Sequence, residues 1–252
     1  MRKTSILFAP WSLFVSAALA FGQDKPRAII ERAIQAQGGE AKIAKLRIMR
    51  IKVEGTTDLI PGQPNSPITI EDTWQMPRRY KTSSSFQFMG NAVTQTQAMD
   101  GDTGWAQFNG QTQALPKEAL AEMKEQKYAE DLDRLSFLNE KGIELSATEE
   151  AKVDDKPALG VLVKSKGHRD VKLYFDKSNG LLVKRQQNVL DPTSGKKVSQ
   201  EVVFSDFQDK DGVKHYRKIT AYRDGKKIID AKVVELEFFD KLEDKVFSRP
   251  QK

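Results

Sequence analysis

The sequence contains no cysteine and only two histidines in 252 residues. Without cysteine there can be no disulfide scaffold, thiol nucleophile, cysteine-ligated zinc or cysteine lipid anchor. His168 and His215 leave little material for imidazole catalysis or a multi-histidine metal site. The serines Ser83-Ser84-Ser85 lack the Gly-x-Ser-x-Gly elbow that exposes a hydrolase nucleophile. Glycines fall singly or in one pair, so no Gly-rich phosphate loop is present. Charge of one sign is also missing: 41 basic residues stand against 35 acidic ones, and the two kinds are interspersed. A nucleic-acid reader would concentrate its positive charge, so no nucleic-acid partner is expected, although weak attraction to anionic lipid stays open.

What is present begins with an address. Arg2 and Lys3 precede a largely apolar stretch from Ile6 to Ala20, and Ala18-Leu19-Ala20 offers the small-x-small pattern of signal peptidase. Its apolar core, Trp11 to Phe21, is about half of the ~20 residues that a membrane span needs. A cleaved export signal over residues 1–20 is therefore expected, leaving one exported domain over 21–252 without a transmembrane segment. The mature chain would carry 39 basic and 35 acidic residues, a net charge of about +4.

Pro26 suits a first helical position, and Ile30, Ala33 and Ile34 then share a face before Gly38-Gly39 stops the helix. From Leu46 onward the period changes to two. Met49, Ile51 and Val53 alternate with Arg50, Lys52 and Glu54, which reads as a half-buried strand. Further strand-like runs span about 68–76, 79–89, 91–99 and 103–108, then 142–153, 157–165, 170–176, 180–189, 197–207, 212–223 and 226–239. Turn pairs such as Asn109-Gly110, Asp211-Gly212 and Asp224-Gly225 suit antiparallel hairpins. In the last run Val234, Leu236 and Phe238 are expected on one face, opposite Glu235 and Glu237. Between the two groups of strands, residues 116–138 carry Leu120, Met123, Tyr128, Leu132 and Leu135 near one helical face. No crossover helix separates successive strands, which excludes a doubly wound parallel fold. The expected architecture is α+β and β-rich: about eleven antiparallel strands in a curved half-barrel, covered by the N-terminal helix and a central lid helix.

Carboxylates do not assemble into an obvious site. Asp206, Asp209 and Asp211, like Asp100 and Asp102, sit at turns without calcium-loop spacing. Glu71-Asp72 and Glu149-Glu150 are adjacent pairs whose members point to opposite faces if they lie in strands. No metal and no cofactor is expected, and no catalytic residue is assigned. The aromatic residues are the better lead. Trp74, Phe86, Phe88, Trp105 and Phe108, with Leu120 and Met123 of the helix, are candidate walls of a lipid cavity, in which each buried CH₂ contributes about 0.8 kcal/mol. The same residues would otherwise fill a core.

Five segments carry a resemblance. They are "AQGGEAKIAKLRIMRIKVEG" at 36–55, "AMDGDTGWAQFNG" at 98–110, "LYFDKSNGLLVKRQ" at 173–186, "FSDFQDKDGVKHYRKI" at 204–219 and "VELEFFDKLEDKVFSRP" at 234–250. The pattern resembles the outer-membrane lipoprotein-sorting-like family, whose LolA/LolB-like fold is that of a periplasmic lipoprotein carrier and its receptor. The resemblance implies an unclosed curved sheet whose helical lid covers an apolar space for acyl chains. The receptor is anchored through cysteine, so this chain is more similar to the soluble carrier. The carriers use a strand arginine to control the lid, and no motif assigns that residue here. The expected function is therefore a monomeric, non-enzymatic periplasmic binder or carrier of lipid or lipoprotein acyl chains. An envelope protein could be a further partner. The alternative is a non-catalytic envelope interaction module with a filled core.

Overall fold

A computed structural model describes residues 26–191 and 194–250; the export signal expected at 1–20 lies outside them. Helix α1 (Pro26–Gln37) buries Ile29, Ile30, Ala33 and Ile34, the stripe that the sequence spacing requires. It ends at Gly38 and Gly39, both at positive φ. A side chain at position 38 would put its Cβ 2.4 Å from the Gly212 carbonyl oxygen, so the helix end can approach that turn only through glycine. A short helix α2 (Glu40–Ile43) and a 3-10 turn (Ala44–Arg47) then lead into the sheet.

Among the described residues, thirteen strands form one antiparallel sheet. These are β1 (Ile48–Thr57), β2 (Ser66–Gln75), β3 (Arg79–Phe88), β4 (Asn91–Asp100), β5 (Thr103–Phe108) and β6 (Gln111–Ala114). After helix α3 (Lys117–Leu132) come β7 (Ile143–Val153), β8 (Lys156–Ser165), β9 (Val171–Asp176), β10 (Leu182–Leu190), β11 (Lys197–Lys210), β12 (Val213–Arg223) and β13 (Lys226–Phe238). Their order is β6-β5-β4-β3-β2-β1-β13-β12-β11-β10-β9-β8-β7. Strands adjacent in sequence are therefore adjacent in space, except β6 and β7, and the pairing of β1 with β13 unites the two halves. The count exceeds the expected eleven partly through β6, whose polar Gln-Thr-Gln-Ala gives no alternation to read.

This order explains the lid. Strands β6 and β7 lie at opposite edges of the sheet, so the chain between them must cross a whole face. It does so as α3, 16 residues long, which spans about 24 Å. Thirteen strands laid flat would be about 60 Å wide at ~4.8 Å per strand; curvature brings the edges within reach. The helix stops at Leu132, and turns continue to Leu138, with Leu135 at φ 61°. The lid expected over 117–138 is thus a helix followed by a buried turn.

The two faces divide as alternation demands. Met49, Ile51 and Val53 point inward, while Arg50 and Lys52 form an outer charge ladder with Glu71, Glu237, Glu54 and Glu235. One expectation fails on β13. Lys52 pairs with Glu235 and Val53 with Val233, leaving Val234 as the extra residue of a bulge. Val234 is accordingly exposed, while Leu236 stays buried. The outer face of β1–β6 is crossed by residues 239–250, tied down by Phe239 N–H to the Ile48 carbonyl (2.9 Å), Arg79 to Asp244 (2.6 Å) and Arg249 to the Thr112 carbonyl (2.8 Å).

Candidate functional site

Between the inner face and the helices lies a cavity of about 310 Å³, a size at the lower end of small-molecule sites. Met49, Ile51, Ile68, Ile70, Val202 and Ile229 supply its apolar walls. These come from β1, β2, β11 and β13, because each strand sends every second residue inward. The other end, under α3 and the turn that follows it, is polar. Gln126, Glu130, Asp133 and Arg134 approach from the lid, and Asp72, Tyr80, Arg185 and His215 from the sheet.

Arg134 organises this polar end. Its guanidinium lies 4.2 Å from the centre of the Trp74 ring, donates through Nη1 to the Glu130 carbonyl (2.6 Å) and faces Asp131 at 3.7 Å. Nε is 3.3 Å from the Met49 sulfur. A desolvated cation over tryptophan contributes on the order of 2 kcal/mol, so this contact pins the turn to β2. Behind it Lys127 pairs with Asp131, and burial lowers the lysine's pKa while raising the aspartate's.

The carboxyls are strongly perturbed. Burial, reinforced by the Glu130 charge, pushes Asp72 up to about 7, although it accepts a 3.1 Å hydrogen bond from the Tyr80 hydroxyl. Asp133 is likewise raised to about 7 by burial, against the pull of its ion-pair partner Arg185. Burial, with Arg134 nearby, lowers His215 to about 4, so the ring is neutral at physiological pH. Carboxyls do converge on this cavity, yet each has a partner: Tyr80 for Asp72, Gln126 for Glu130 and Arg185 for Asp133. Among the described residues, no group of three or more His, Asp or Glu is placed to hold a metal ion.

The sequence-derived wall residues separate. Trp74 lines the cavity. Phe86 and Phe88 alternate in phase with Tyr80, Thr82 and Ser84, which do line it, and so lie on the inner face nearer the strand end; Phe88 is exposed. Phe108 pairs with Gln95 on the same side and is 51% exposed. Trp105 stands on the opposite face. It pairs with Ala98, one residue out of phase with the inward Met99, and donates Nε1–H to the Phe247 carbonyl at 2.8 Å. Met123 is buried in the core and Leu120 packs against it, but neither borders the cavity.

Sequence reasoning missed the polar end. One signal was available: Asp72 shares its parity with Ile68, Ile70 and Trp74, and Arg185 shares its parity with the buried Gln187 and Val189. A charge on the dry side of a strand marks a site that needs it.

No protein-family model and no curated protein matches the chain. Solved structures do. A LolA superfamily protein from Nitrosomonas europaea aligns over 89% of this chain and 97% of its own, at 13% identity and TM-score 0.55. The fold is that of the LolA superfamily. A protein described as an outer membrane lipoprotein-sorting domain, from Vibrio parahaemolyticus, covers 86% of this chain and 97% of its own at 11% identity and TM-score 0.52. A DUF1329 family protein from Desulfovibrio piger covers 89% and 98%, at 11% identity and TM-score 0.54. At such identities the LolA-like likeness concerns the fold, and what the cavity does must be argued from its own lining.

Proposed function

We propose that the protein is an exported, periplasmic binder or carrier of single apolar chains, lipid or acyl, which it holds between the sheet and α3 without covalent chemistry. The observation that carries this reading is the cavity itself, apolar along β1, β2, β11 and β13 and roofed by a helix that crosses the sheet. A filled interaction module, the second reading, would have closed this space with larger side chains. At about 310 Å³ the volume suits one chain rather than several. No helix of the described residues is long and apolar enough to cross a membrane.

Gently purified mature protein should carry an apolar species in native mass spectrometry. In delipidated protein, lengthening a linear ligand by two CH₂ should tighten binding about 15-fold until the cavity is full. Ile70→Trp, which fills the cavity, should abolish uptake while circular dichroism and Tm stay near wild type. An apo mass, with no Tm rise on adding long-chain ligands, would overturn the reading.

A further inference from the structure

The polar end of the cavity is more specified than an apolar chain requires. Six of its lining side chains hold a buried hydrogen-bonding atom with no partner: Gln37 Oε1, Trp74 Nε1, Glu130 Oε2, Asp133 Oδ1, Arg185 Nε and His215 Nε2. Buried polar atoms are rarely left so, because each loses its hydration and gains nothing. The set is mixed in kind. Trp74 and Arg185 offer N–H donors, whereas Gln37, Glu130 and Asp133 offer acceptors. Trp74 and Arg185 are also 97% and 96% buried, so these donors belong to the interior and not to a solvated rim.

Charge narrows the choice. Three carboxyls, Asp72, Glu130 and Asp133, line the space against two guanidiniums. Arg185 is engaged by Asp133. Arg134 is committed to the Glu130 carbonyl, Asp131 and the face of Trp74. Asp72 and Glu130 make no ion pair among the described residues, and His215 faces the cavity as a neutral ring. An arriving anion would meet two unpaired carboxyls, and the guanidinium that keeps a spare N–H, Arg185, already has its charge matched by Asp133. A head that only accepts would also leave Glu130 Oε2 unpaired, and one that only donates would do the same to the Trp74 N–H.

We infer that this end of the cavity is a head-group subsite for amphipaths whose head is uncharged and both donates and accepts hydrogen bonds, an amide or a hydroxyl, and that it rejects carboxylate and phosphate heads. The inference rests on the binder reading and adds the chemical class of the ligand's polar end. Its N–H or O–H would reach Glu130 Oε2, and its oxygen would accept from Trp74 Nε1–H. Arg134 lies over the Trp74 ring and donates to the Glu130 backbone carbonyl, so both residues border one side chain.

The test uses delipidated mature protein and five ligands with one ten-carbon tail: decanamide, decanol, decanoate, decyl phosphate and decylamine. Affinities are measured by isothermal titration calorimetry at pH 8. The amide and alcohol should bind at least tenfold more tightly than the carboxylate and phosphate. Glu130→Gln should narrow that gap at least fivefold by raising carboxylate and phosphate affinity. Carboxylate or phosphate binding as tight as the amide would overturn the subsite alone, and so would decylamine outrunning the amide tenfold. Absence of binding by all five would overturn the binder reading and the subsite with it.

Discussion

Trp74 and Trp105 are both buried in the same group of strands, yet they stand on opposite faces and in opposite chemical states. The outer one is finished: its indole N–H bonds to the Phe247 carbonyl, and the C-terminal segment covers it. The inner one is unfinished, with its ring under Arg134 and its N–H facing a cavity without a partner. The difference shows how one sheet separates tasks. Residues 239–250 saturate the outer face as structure, while α3 roofs the inner face without filling it.

The same substitution should therefore have unequal effects. Trp105→Phe strands the buried Phe247 carbonyl, whereas Trp74→Phe removes a donor that has no acceptor. We expect the outer change to destabilise by about 1–3 kcal/mol more than the inner one, read from urea unfolding by circular dichroism. Trp105→Ala should cost about 3–5 kcal/mol and leave the remaining folded protein able to bind ligand. Equal losses for the two phenylalanine variants would break the contrast.

Titration sharpens it next, because Asp72 and Asp133, whose pKa values burial raises, line the inner cavity. Asp72 has a folded pKa of about 7 against an ordinary value near 3.9. Between those values the native state holds a proton that the unfolded chain has released, so stability from this group falls as pH rises and levels off above 7. Asp133 acts in the same direction. His215, held near 4, works the other way below about 6.5, since there the unfolded chain takes the extra proton. Asp72→Asn isolates one contribution. Its stability relative to wild type should improve from pH 5 to pH 8 by on the order of 1–2 kcal/mol, in urea midpoints at matched ionic strength. A difference that stays flat with pH would place the Asp72 carboxyl in water.

The fold was largely legible because hairpin chemistry is local. Asn109-Gly110, Asp211-Gly212 and Asp224-Gly225 all adopt the paired positive φ that their sequences suggest, and each fixes an antiparallel neighbour. What escaped notice was local in the wrong way. Strand β6 has no apolar residue to alternate beyond Ala114, and the Val234 bulge depends on which strand lies alongside. The cavity was harder still. Glu130, Asp133 and Arg134 follow one another on and just beyond α3, but their convergence with Asp72 and Arg185 exists only once β6 and β7 are sent to opposite edges. Periodicity can say that a side chain faces inward. It cannot say whether the inward space is filled, which is why Trp74 and Trp105 looked equivalent in the sequence.

The smallest effect should come from the contact that keeps the inner face roofed. The β8–β9 turn grips the exposed side of α3. Arg169 chelates the Glu122 carboxylate and donates its backbone N–H to Glu125 (2.8 Å), while His168 bonds Glu125 through Nδ1 (2.9 Å) and stacks on Tyr128 at 3.8 Å. Glu122 also accepts the Leu190 backbone N–H at 3.1 Å, so one carboxylate joins the helix to the β8–β9 turn and to the end of β10. The Arg169 pair is partly solvated, and its loss should cost about 1 kcal/mol or less. Its effect on motion should be larger than its effect on stability, since α3 rests on few other polar ties at this end. In Arg169→Ala we expect faster amide exchange across residues 117–132 and faster ligand association and release, with Tm lowered only slightly. The equivalent cut on the outer face, Arg79→Ala, which frees Asp244, should loosen the C-terminal segment and leave ligand kinetics unchanged. Ligand kinetics that respond equally to both variants would mean that the two faces are coupled and that the division between a structural face and a binding face does not hold.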